Sequence, residues 1–165
     1  NRIGTTPQQN NQSNDWVSFW REQRLGFQFH LAATNGHNER LLAQGDRLLD
    51  RLPIFFDGHC PVPSLLHGDL WSGNFAAALT GEPVVYDPAV YFGDREADLA
   101  MTELFGGFGQ PFMTAYQESW PLDPGYPTRR TLYNLYHVLN HLNLFGSGYL
   151  AQALGMIDTL LAETS

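Results

Sequence analysis

Three oxygen-bearing side chains stand at set intervals in the middle of the chain. In "LLHGDLWSGNF" (65–75), Asp69 follows His67 by two residues and Asn74 follows Asp69 by five. Asp87 comes thirteen residues later, at the end of the apolar run "PVVY". Gly68 and Gly73 break any regular helix or strand through the first stretch. A carboxylate held in such a loop can orient a hydroxyl and accept its proton. An amide oxygen and a second carboxylate are the hard donors that Mg²⁺ prefers. Together these are the groups phosphoryl transfer needs: one base, and ligands for the Mg²⁺ ions that bridge nucleotide phosphates. Asp and Asn are common in turns, but turn chemistry does not predict this joint spacing.

The elements that must position these groups are mostly helical. Residues 1–12 read as an irregular arm, with Gly4, Pro7 and a Gln/Asn cluster. A helix capped by Ser13, Asn14 or Asp15 runs to about Thr34, with Trp16, Phe19, Trp20, Phe27 and Leu31 at helical spacing and Gly26 interrupting. A second helix spans about Glu39 to Leu52 with a leucine stripe, and Pro53 stops it. "NFAAAL" and "PVVYDP" flank Thr80-Gly81 and read as a hairpin with strands near 75–79 and 83–86, which would return Asp87 to Asn74. Four more helices follow: from Asp94 to about Phe105, 110–119, Thr131 to Phe145, and Tyr149 to Glu163. The expected fold is mainly α with one small β-hairpin.

Composition bounds the function. The chain has 165 residues, 43% apolar and 16% charged, which suits one globular domain. No apolar run approaches the ~20 residues of a membrane span, and the polar opening "NRIGTTPQQNNQSND" holds no signal-peptide core. The single cysteine, Cys60, excludes an internal disulfide and fits a reducing compartment such as the cytoplasm. The chain does not begin with Met and reads as a fragment. All nine basic residues are Arg, there is no Lys, and the net charge is −8. Nucleic acid is excluded as a partner, because phosphate backbones require clustered Lys and Arg. The acidic balance suits a neutral or cationic ligand or a metal ion, or serves only solubility.

The spacing matches the protein-kinase pattern H-x-D-L-x-x-x-N followed by D, with H-G-D for H-R-D and D-P-A for D-F-G. The run resembles the aminoglycoside phosphotransferase and choline kinase superfamily. Within it, "LLHGDLWSGN", "DPAVYFGDREADLAM" and "LNLFG", with "NRIGTTPQ" and "EQRLG", resemble the fructosamine kinase (ketosamine 3-kinase) family. Trp71 stands where aminoglycoside kinases usually carry His. The resemblance covers nearly the whole chain.

That resemblance implies an ATP- and Mg²⁺-dependent kinase that phosphorylates the 3-hydroxyl of ketosamines on lysines or free amines, giving an unstable product that releases the amine. Asp69 would be the base, His67 would shape its loop, and Asn74 and Asp87 would hold the metal and through it the nucleotide. Trp71, Asp94, Asp98 and His141 would lie on the substrate side, with Asp94 and Asp98 near the sugar amine or bracing the loop. It also implies an N-terminal lobe with a phosphate-covering loop and a gripping Lys. This chain has no Lys, and "GGFG" at 106–109 lies downstream and reads as a turn. The expectation is therefore a C-terminal lobe alone (1–12 arm, 65–87 catalytic loop and metal-binding hairpin, 88–165 helical subdomain), inactive by itself and free to form a homodimer through its bare face.

Blander uses compete. Asp94 is a good helix N-cap. Trp71 can stack on a sugar or simply pack. His137 and His141, four apart on a helix, form a metal pair only with a third ligand, which the sequence does not place. Cys60 sits in a Pro-rich loop with nothing to activate it. A kinase for another alcohol (aminoglycoside, choline or homoserine) and a non-catalytic sugar- or partner-binding module are the alternative functions.

Overall fold

A computed structural model describes residues 1–164. Among them are seven α-helices, the longest of them at the centre, and three two-stranded antiparallel sheets. The helices are α1 (Trp16–Trp20), α2 (Phe27–Thr34), α3 (Glu39–Arg51), α4 (Glu96–Leu104), α5 (Gln110–Ser119), α6 (Tyr126–Phe145) and α7 (Leu150–Ala162). The strands are β1 (Arg2–Ile3), β2 (Thr6–Pro7), β3 (Ser64–Leu66), β4 (Phe75–Ala77), β5 (Pro83–Val85) and β6 (Tyr91–Gly93). No helix among the described residues is long and apolar enough to cross a membrane.

Helix α6 is the axis of the core. Its Leu132, Tyr133, Leu135, Val138, Leu139 and Leu142 are fully buried, and α2, α4 and α7 pack on it. It starts at Tyr126, before the expected Thr131, because Pro127 in the first turn is preorganised for a helix start and needs no N–H partner there. Helix α3 lays Leu41 and Leu48 into the core, and Gly45 lets the Phe29 ring lie against its backbone, where a Cβ would come within 2.7 Å of that ring.

The structure corrects the expected elements in three places. The single helix over 15–34 is split by a π-helical turn, Arg21–Gly26, which inserts extra backbone between α1 and α2. One hairpin was expected, but three sheets form: β1–β2, β3–β6 and β4–β5. Strands of two and three residues are too short to carry an alternating pattern. The arm is also not loose. Arg24, wholly buried in the π-helical turn, donates to the Gln9 carbonyl (2.6 Å) and to Asn10 Oδ1 (2.8 Å). Its guanidinium lies over the rings of Tyr91 (4.1 Å), Phe19 (4.6 Å) and Tyr136 (5.6 Å). Gln23 exchanges two hydrogen bonds with the backbone of Asn11.

His137 is buried on α6, and that burial, with His141 and Arg24 adding to it, pushes its imidazole down to about 3. Unfolding therefore takes up a proton at this residue between the ordinary histidine value of roughly 6.5 and about 3. Stability should fall as pH drops through that window, by about 1.4 kcal/mol per pH unit from this group alone. Urea unfolding from pH 7 to pH 4 should show a shallower acid loss for His137→Leu than for the parent, the difference corresponding to one proton.

Candidate active site

The loop from His67 to Asn74 is tied down by side chains that the sequence had marked. The Asp98 carboxylate, on α4, accepts the N–H of His67 at 2.7 Å and of Gly68 at 2.8 Å. Burial pushes this carboxyl up from its ordinary value, against the pull of those two donors. Gly68 is required here: its φ is +81°, and a Cβ would stand 2.1 Å from the Ala89 carbonyl oxygen. The Ala89 N–H in turn donates to the His67 carbonyl at 2.8 Å.

The His67 ring spans the gap between this loop and the end of β5. Its Nε2 pairs with the Tyr86 carbonyl at 2.9 Å, and its Nδ1 accepts the Asp69 N–H at 3.3 Å. A carbonyl only accepts and a backbone N–H only donates, so the ring is the neutral form with its proton on Nε2. Asn74 Nδ2 donates to the Asp69 carbonyl (2.9 Å) and to Asp69 Oδ2 (3.2 Å), fixing that carboxylate. The hairpin register, Phe75 opposite Val85, with the Tyr86 N–H donating to the Asn74 carbonyl at 3.1 Å, brings Asp87 alongside.

Asp87 carries φ +52°, the one positive value on a non-glycine residue among those described. The left-handed region is one that Asp adopts more readily than most residues. Burial pushes the Asp69 carboxyl up. The Asn74 hydrogen bond pulls it down, and Asp87 adds a smaller upward push. Asn74 Oδ1 and the exposed Asp87 carboxylate carry no hydrogen bond within the described residues. An amide oxygen and a carboxylate left open beside one loop suit a hard cation.

Asp69 opens onto a cavity of about 370 Å³ walled by Trp71, Phe105, His141, Phe145 and Tyr149, and closed at one side by Ile3 and Gly4 of the arm. Gly73 makes room for the Trp71 ring, which a Cβ there would meet at 2.2 Å. A larger groove, about 480 Å³, runs past Asn10, Trp16, Pro61 and Phe92 but contains none of these chemical groups.

Asp94 lies elsewhere. It is buried, accepts the Tyr133 hydroxyl at 2.6 Å and the Glu96 N–H at 3.0 Å, faces His59 Nε2 at 2.7 Å, and does not line the cavity. Its contact with the Glu96 N–H is a capping contact at the start of α4. His59, Asp94 and Glu96 stand close enough to suggest a metal, but Asp94 is bonded as above and both Glu96 oxygens clamp Arg129, at 2.7 and 3.0 Å. His137 and His141 join no third potential ligand among the described residues, and His141 Nδ1 bonds the backbone carbonyl of His137 at 2.8 Å.

Residues 1–163 match the family profile described as fructosamine kinase. The chain belongs to the fructosamine kinase family. It is 48% identical over 161 residues to a protein of Synechocystis sp. named a probable ketoamine kinase, covering 98% of this chain and 54% of that protein. It is 46% identical to a chloroplastic protein-ribulosamine 3-kinase of rice, covering 98% and 47%. The crystal structure of a fructosamine-3-kinase candidate from Thermobifida fusca superposes with a TM-score of 0.90 at 34% identity, over 98% of this chain and 56% of that one. The chain thus spans about half the length of the relatives it matches.

Some cavity residues of this family member escaped the sequence reading. Phe105, Asn140, Phe145 and Tyr149 line the cavity, and "LNLFG" held the signal, because residues four apart on α6, Asn140 and Leu144 or His141 and Phe145, share one face.

Asp98→Asn tests the tether of the loop. The replacement keeps one acceptor oxygen and turns an NH₂ toward the second N–H, leaving a donor without a partner. The expected cost is about 1–3 kcal/mol, read as a lower urea midpoint with an unchanged slope; an unaltered midpoint would show that the tether carries no load.

Proposed function

We propose that this chain is the C-terminal lobe of an ATP-dependent ketosamine kinase with a protein-kinase-like fold. Its complete form would phosphorylate the 3-hydroxyl of a fructosamine or related ketosamine on a protein lysine or a small amine and so promote deglycation. The observation that carries this reading is Asp69, held by Asn74, on a cavity lined by Trp71 and His141, with Asp87 near enough for its charge to act on Asp69.

On this reading the substrate hydroxyl hydrogen-bonds to the Asp69 carboxylate. Its proton passes to Asp69 as its oxygen bonds to the γ-phosphorus of ATP, and the bond from that phosphorus to the bridging oxygen breaks, ADP leaving with the electron pair. Burial makes Asp69 a stronger base than an ordinary carboxylate, and the Asn74 amide keeps it aimed. Asn74 Oδ1 and Asp87 would hold Mg²⁺, which when bound neutralises charge on the phosphates. Trp71 and His141 would face the sugar amine. Asp98 acts through the loop it braces, and Asp94 through the start of α4. The reading keeps a cytoplasmic setting, on the single exposed cysteine, Cys60.

In a polypeptide as long as the relatives, Asp69→Asn should lower kcat by roughly 10²–10⁴-fold without moving the thermal midpoint. Steady-state kinetics with a fructosyl amine check this, and a near-parental rate would assign the base elsewhere.

The 165-residue chain alone should transfer no phosphoryl group. It has no Lys, and no Arg lines the cavity beside Asp69, so no cationic side chain in that cavity grips phosphate. Leu65 and Phe92, paired across β3–β6, are 66% and 68% exposed, and Val84, Val85 and Tyr86 on and after β5 are also open. Such a face favours pairing with a second copy. A coupled ADP-release assay and sedimentation of the purified chain test both; a fully active monomer would overturn them. For the isolated chain the missing Lys favours a second reading, a non-catalytic sugar- or partner-binding lobe. Calorimetry with Mg-ATP and with a ketosamine separates the two.

A further inference from the structure

We propose that the cavity beside Asp69 is a receptor for positive charge, and that it takes the protonated amine of its substrate into a box of aromatic faces. The name of the natural ligand rests on the kinase reading above; the preference for a cation is a property of the cavity.

The walls form an unbroken run of rings. Trp71 meets Phe105 edge-on at 6.3 Å between centroids, and Phe105 meets His141 at 5.0 Å. His141 meets Phe145 at 5.4 Å and Tyr149 at 5.2 Å. Ring faces carry the negative part of the aromatic quadrupole and attract cations within about 6 Å. These rings are left uncovered: Trp71 is 37% exposed, Phe105 40% and Phe145 67%.

The polar groups of the cavity point the same way. Asp69 contributes its carboxylate. His141 turns Nδ1 away to the His137 carbonyl at 2.8 Å, a partner that can only accept. The lining contains neither Arg nor Lys. The protein holds a cation by the same means elsewhere: the buried Arg24 guanidinium bonds only to carbonyl and amide oxygens and sits among three aromatic rings, with no carboxylate partner.

A ketosamine carries a secondary amine next to its sugar carbon chain, and that amine is charged at neutral pH. The N-acyl counterpart has nearly the same shape and no charge, and a free ketose lacks the group altogether. The cavity therefore selects glycated amines over neutral sugars by charge.

The direct test uses the 165-residue chain with choline and 3,3-dimethyl-1-butanol, which share a shape and differ in charge, titrated by calorimetry and by tryptophan fluorescence. Choline should bind roughly tenfold more tightly or better. The preference should shrink in Trp71→Leu and in Phe145→Leu, the latter at a residue exposed enough to be replaced without harm to the core. Equal binding of the two probes, tighter binding of the alcohol, or no binding of choline would overturn the proposal.

A second arm uses a polypeptide of the relatives' full length. KM for 1-(dimethylamino)-1-deoxyfructose should be at least tenfold below that for 1-(acetylamino)-1-deoxyfructose, and equal KM values would overturn the inference. If neither sugar is phosphorylated while choline still binds the chain in preference to the alcohol, the kinase reading fails and the cation receptor stands.

Discussion

Two backbone N–H groups accepted by one half-buried carboxylate set the geometry of the whole site. Asp98 takes the N–H of both His67 and Gly68, and adjacent amides can converge on one carboxylate only where the backbone between them bends sharply. Gly68 supplies that bend with φ +81°. With the bend fixed, the His67 ring reaches the Tyr86 carbonyl, the last residue before Asp87. A carboxylate on α4 thus positions both the candidate base and, one histidine away, a candidate metal ligand. Burial raises the cost of the charge on Asp98, and two charge-assisted hydrogen bonds offset it. The interaction is exchanged for a bent loop, which a turn sequence alone would not hold in one conformation.

The His-Asp-Asn-Asp spacing was legible because it is a local, covalent fact: a hairpin of fixed register returns Asp87 to Asn74 whatever the rest of the chain does. The long helices were legible for a related reason, since their apolar stripes exceed two turns. What could not be read was set by contacts distant in sequence. Nothing local says that Arg24 will reach Gln9 and Asn10 and turn an apparently irregular arm into a cavity wall. The π-helical turn at Arg21–Gly26 leaves apolar spacing almost unchanged while rotating the residues that follow. Asp94 had two readings, a helix cap and a group on the substrate side; it accepts the Glu96 N–H at the start of α4 and sits in a buried network with Tyr133 and His59, because a carboxylate preceding a helix is readily satisfied locally.

That network explains why α4 can act as the fixed post for the loop. Glu96 and Arg129 form a buried two-point ion pair between α4 and α6. Asp94, just ahead of Glu96, bonds Tyr133 one turn further along α6. Removing one partner of such a pair leaves a charge stranded in the core, which is costlier than the pair's net worth. The pairing therefore contributes more to fixing the register of α4 on α6 than to overall stability. Asp98 lies on the same helix, so its position relative to the core is inherited from these contacts.

The electrostatics of the site then divide it into two halves. One half is Asp69 with the aromatic walls, the proposed cation receptor. The other half, Asp87 with Asn74 Oδ1, is also negative or neutral, and the chain has no Lys to offset it. On the proposed reading a free nucleotide triphosphate would meet only like charge here, so nucleotide and divalent cation must arrive as one unit, with the direct grip on phosphate coming from outside these 165 residues. On that reading the same negative field would leave phosphate without a direct grip here while letting the proposed cation receptor hold an ammonium group next to the base, so the two halves of recognition would fall on different parts of the relatives' length.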